Sequence, residues 1–136
     1  MHISRWNTSP RSEMDGVVSY LLVSSATAGA TRLSAALVEM RPGAVQPSRH
    51  LDSEKCYFIL EGHGLMTVGE DVQRVETGDC IFIPVNTAHV VVNDGDGPLH
   101  FLAAAAPSFG EGSLAEWLPP GGLPVGPGED GGGPDA

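Results

Sequence analysis

At 136 residues the chain is the size of one domain, long enough to bury a core without staples, and its two cysteines, Cys56 and Cys80, are too few for a disulfide framework. Its formal charge of -10 is unevenly spread, because the last cationic residue is Arg74 and all nine charged residues after it are acidic. That pattern excludes nucleic acid and anionic membranes as partners, both of which demand clustered cations.

Apolar, β-branched runs follow one another along the chain: "VVSYLLV" (17–23), "RLSAALVEM" (32–40), "CYFILEG" (56–62), "GLMTVG" (64–69), "DCIFIPV" (79–85), "HVVVN" (89–93) and "LHFLAAAA" (99–106). They are separated by turn-forming stretches, "RPGA" (41–44), "EGHG" (61–64), "VGEDVQ" (68–73), "ETGD" (76–79) and "NDGDGP" (93–98). Short strands at such spacing predict an all-β sandwich or barrel. No long stretch has helical periodicity with caps. "SLAEWL" (113–118) offers one last helical turn, with Ser113 as N-cap and Glu116 three residues on, and Trp117 packing the end of the domain. From Pro119 to Ala136 the chain is mostly Gly and Pro and is read as a disordered tail, so one domain over 1–118 is expected. The N-terminal "MHISRWNTSPRSEM" lacks the apolar core of a secretory signal, and no apolar run approaches the roughly 20 residues that span a bilayer. A reduced, cytoplasmic protein is expected.

The stretch "GDCIFIPVNTAHVVVN" (78–93) resembles the second motif of the cupin superfamily, with Gly78, Pro84, His89 and Asn93 in register. Asn86 stands where that motif has glycine, a replacement that tolerates left-handed backbone angles. Upstream, "PGAVQPSRHLDSEKCYFILEG" is similar to the first cupin motif, bracketed by Gly43 and Gly62, and the resemblance covers about residues 32–109. It implies a cupin-type antiparallel β-barrel, the jelly roll or double-stranded β-helix. Small single-domain cupins of this kind include some similar to polyketide cyclases.

The resemblance also implies a metal site. Counted back from Gly62, the family's two histidine positions hold Ser48 and His50 and its glutamate position holds Lys55, while the second motif supplies His89. The family's variable gap allows a second register, in which Glu54 is the carboxylate. His50, His89 and Glu54 would then form a two-His-one-carboxylate face for Fe, Mn, Ni, Cu or Zn. Glu54 and Lys55 are neighbours on a strand and must point to opposite faces unless a bulge intervenes. If Lys55 points inward, its charge disfavours a cation.

Around that pair, Tyr57 is a candidate to line the cavity and bond a substrate, and His100 is a spare ligand or acid/base group. Asp52 reads as a turn residue, His63 as solvated between two glycines, and Cys56 as a small buried hydrophobe. Three functions remain open. One is a divalent-metal enzyme acting on a small carbonyl or enol metabolite by isomerase, cyclase or dioxygenase chemistry. The second is a metal-free enzyme using His50, His89, Lys55 and His100 as acid/base groups. The third is a non-catalytic, metabolite-binding module. Strands apolar on both faces, such as "CIFIPV" and "LHFLAAAA", suggest that a second copy covers one outer face, giving a homodimer.

Overall fold

A computed structural model describes residues 1–107 and is built from ten strands: β1 Arg11–Met14, β2 Val17–Val23, β3 Ser34–Met40, β4 Val45–Ser48, β5 Glu54–Glu61, β6 His63–Val68, β7 Asp71–Glu76, β8 Cys80–Ile83, β9 His89–Val92 and β10 Leu99–Ala106. A short helix, α1 (Ser25–Ala28), joins β2 to β3. The strands form a six-stranded sheet, β1-β2-β3-β10-β5-β8, and a four-stranded sheet, β4-β9-β6-β7. Every paired strand is antiparallel. This is the jelly roll expected from the motifs, with the core between the two sheets. The helical turn at 113–118 and the tail from 119 lie outside the described residues.

Alternation sets which residues face inward. Along β10, Leu99, Phe101, Ala103 and Ala105 are buried while His100, Leu102 and Ala104 are not. Ala103 lies opposite Tyr57 on one side and Ala36 on the other; Ala105 lies between Lys55 and Ser34 in the same way. Four small side chains thus flank two long ones, and the space they leave is what lets Tyr57 and Lys55 reach into the interior.

Two turns need their particular residues. Gly62 has φ +94°, and a Cβ there would stand on the carbonyl oxygen of Pro98. Asn86 occupies the left-handed region at φ +50°, as the substitution of Asn for Gly in the second motif predicts, and its backbone N–H donates to the carbonyl of His50 at 2.7 Å. That bond ties the two motif loops together at the same end of the sandwich.

The sequence reading missed three strands. β7 falls within what reads as a turn because Asp71, Gln73, Arg74 and Glu76 are polar, which suits an edge strand with a wet face. β4 carries Pro47 and polar residues and gives no apolar run, and β1 is a short edge strand beginning at Arg11.

Candidate functional site

Gln46, Ser48 and His50 occupy alternate positions along β4 and the bend after it, so all three point inward, and all are buried. His89 opens β9, where it pairs with Ser48 on one side and Val68 on the other. Lys55 and Tyr57 come from β5 in the opposite sheet, two residues apart and therefore on one face. The sandwich brings His50, His89, Lys55 and Tyr57 together, with none of them more than 2% exposed.

The Lys55 Nζ lies 3.0 Å from His89 Nε2 and donates to the Tyr57 hydroxyl at 3.1 Å. His89 Nδ1 is 2.9 Å from the backbone carbonyl of Thr87. A carbonyl only accepts, so Nδ1 carries the proton and Nε2 presents its lone pair to the lysine. The Tyr57 ring packs edge-on to His89, with centroids 5.7 Å apart, and against Phe101 at 4.4 Å. The His50 and His89 rings sit 6.5 Å apart, nearly perpendicular.

Burial, and then the charge of Lys55, lower the pKa of His50 to about 2 and that of His89 to about 3. Both rings are therefore neutral acceptors across the physiological range. A buried ammonium shared with a neutral imidazole and a phenol is costly to fold around, which makes this cluster a candidate functional site.

Two of the expected site residues stand elsewhere. Glu54 is exposed at the start of β5, on the face opposite Lys55, because no bulge interrupts the pairing of β5 with β10 between them. His100 points outward from β10, its Nδ1 3.3 Å from Glu61 and its Nε2 4.0 Å from Glu39, in a cross-strand cluster on the outer sheet face. The expected His50, His89 and Glu54 face therefore does not form, and His100 is not at hand as a spare ligand. The donor set at the interior is two imidazoles with an ammonium beside them, and a cation is repelled by the Lys55 charge. Among the described residues no group of three His, Cys, Asp or Glu is arranged to hold a metal ion. These residues do not fit the metal that the family resemblance implies. Gln46 was not anticipated, although its two-residue spacing from Ser48 and His50 carries the signal.

Comparison with known proteins agrees with this architecture. The family model described as "Cupin domain" matches residues 36–105, and the chain belongs to that family. An uncharacterized protein of Methanocaldococcus jannaschii is 43% identical over 61 residues, which make up 45% of this chain and 49% of that protein, so the match spans about half the length of the relative. Among solved structures, a predicted oxalate decarboxylase from Thermotoga maritima is similar with a TM-score of 0.69 at 20% identity, covering 77% of this chain and 98% of that one. A RmlC-like cupin from Shewanella frigidimarina has a TM-score of 0.70 at 16% identity over 82% of this chain and 95% of that one. A sugar phosphate isomerase of the cupin superfamily from Silicibacter pomeroyi has a TM-score of 0.60 at 26% identity over 68% of this chain and 60% of that one.

Proposed function

We propose that the protein is a small-molecule enzyme that moves protons on a carbonyl or enol metabolite, with Lys55, His89, Tyr57 and His50 as its acid/base groups and without a bound metal. The carrying observation is the lysine amine held between His89 Nε2 and the Tyr57 hydroxyl in a buried interior. Lys55 and Tyr57 are donors suited to the oxygen of a developing enolate, where charge stabilisation in a water-poor site is most effective. We assign to His50, a buried imidazole held neutral by burial and by the Lys55 charge, the acceptance of the α-proton. The groups are coupled through charge. When Lys55 gives its proton to the substrate oxygen, its Coulomb penalty on both imidazoles vanishes, and their affinity for a proton rises as one arrives.

Metal-assisted isomerase, cyclase or dioxygenase chemistry was the other expectation, and the same fold hosts proteins described as an oxalate decarboxylase and a sugar phosphate isomerase. The acid/base reading is favoured because it uses the residues that meet in the interior.

The test is solvent exchange. In D2O the protein should catalyse loss of α-C–H signals from members of a panel of small ketones and 2-oxo acids, followed by proton NMR. Lys55→Met should lower that rate by about 100-fold or more, the usual worth of a positioned acid/base group. Treatment with a strong chelator should leave it unchanged. Exchange that vanishes on chelation and returns with one divalent cation would overturn the metal-free reading; bound metabolite without exchange would make the barrel a binding module.

A further inference from the structure

β7 and β8 follow one another in the chain, yet each ends up at the edge of a different sheet, with no ladder between them. The opening between those edges is a groove of about 420 Å³. Apart from Asp71 and Gln73 at its lip, its lining is apolar: Met66, Val68, Val72, Val75, Ile81 and Phe82 with Pro84. The register connects this groove to the interior. Val68 is the cross-strand partner of His89, and Ile81 is the cross-strand partner of Tyr57. Both pack against the core, so the groove's two inner walls are the immediate neighbours of the two rings that frame Lys55.

We infer that the groove holds the apolar tail of the substrate, whose carbonyl head lies at Lys55, His89 and Tyr57. The inference rests on the function proposed above for that head group. Three observations favour this occupant. The groove adjoins the polar site on both sheets, since its wall residues Ile81 and Val68 are the cross-strand partners of Tyr57 and His89. Its volume lies within the roughly 300–1,000 Å³ of small-molecule sites. Asp71 at the lip selects against a second anionic group at the far end, so the ligand is a carbonyl compound with an uncharged alkyl or aryl extension.

The test uses straight-chain methyl ketones from acetone to 2-heptanone as probes, titrated into protein with labelled Met, Ile and Val methyl groups. Affinity should rise about four-fold per methylene, the equilibrium equivalent of burying one CH2, and the Met66, Val68 and Ile81 methyl signals should move with the longer ketones. Ile81→Trp, which fills the groove from its inner wall, should remove the increment. Val72→Asp, at an exposed lip position that does not endanger the core, should weaken it by roughly the loss of one apolar contact, two- to five-fold for the longest ketone. Affinity that is flat with chain length, or increments preserved in both variants, would overturn the inference. A rising affinity without α-proton exchange would retain the groove and remove the proposed chemistry; exchange of acetone protons with a flat series would do the reverse.

Discussion

The backbone carbonyl of Thr87 accepts a hydrogen bond from the Nδ1 of His89 at 2.9 Å, and this contact between residues two apart decides which nitrogen faces Lys55. Nitrogen NMR should show His89 as the Nδ1–H tautomer, with neither His50 nor His89 gaining a proton between pH 5 and pH 8. In Lys55→Met both rings should titrate at higher pH than in the parent, while staying below the ordinary 6.5 because burial, the larger cause, remains. Unchanged titration in that variant would separate the lysine from the imidazoles.

Lys55→Met should separate activity from stability. An apolar chain of similar length relieves the desolvation cost of a buried ammonium but takes the lysine away from His89 Nε2 and the Tyr57 hydroxyl, two opposing effects of about 1–3 kcal/mol each. The expected outcome is loss of α-proton exchange with a urea midpoint close to that of the parent. A variant that is both inactive and strongly destabilised would indicate that the lysine holds the sandwich together.

Stability should fall on acidification in a window set by the two histidines. Their pKa values in the folded protein, about 2 and about 3, lie below the ordinary 6.5, so the unfolded chain binds more protons as pH drops. The contribution is complete above pH 6.5 and is lost progressively toward pH 3. By pH 5 the loss amounts to roughly 2 kcal/mol per imidazole. Urea unfolding at pH 7 and pH 5 measures it, and His89→Asn should halve the pH dependence between those points.

Tyr57→Phe removes only the hydroxyl that accepts from Lys55. The lost buried hydrogen bond should lower stability by about 1–3 kcal/mol, and the lost donor should slow exchange by about 10- to 100-fold. Thermal melts and the exchange assay read the two effects separately.

Gly62→Ala should be damaging although it adds one methyl group. The residue is at φ +94°, and its Cβ would overlap the Pro98 carbonyl oxygen, which is backbone and cannot swing away. A loss of about 2–4 kcal/mol in urea unfolding is expected.

Much of this fold can be read from residue order. β2 and β10 begin and end where their apolar runs do, and Asn86 takes the left-handed angle that its place in the motif requires. β7 and β4 could not be read that way, since an edge strand with a wet face and a strand whose inward residues are Gln46 and Ser48 both lack apolar runs. For the site, the resemblance to the two cupin motifs pointed to His50, His89 and Lys55, and strand position to Tyr57. It could not choose between Glu54 and Lys55, because one bulge reverses every later side chain, and the unbroken β5–β10 register through both residues settles the question. The outward turn of His100 likewise depends on phase: His100 is opposite Glu61 and Phe101 opposite Ile59, across an irregularity that separates two adjacent residues.

The Ser53 hydroxyl donates to the carbonyl of Pro107 at 2.8 Å, fastening the bend that carries His50 to the far end of β10. Any reporter or tether fused just beyond Pro107 would therefore exert its drag on the bend that seats an imidazole. The Asp15–Gly16 hairpin tip joins β1 to β2, three to four strands from β5 in the sheet order and so roughly 14–19 Å across the sheet, and is the gentler place for an attachment.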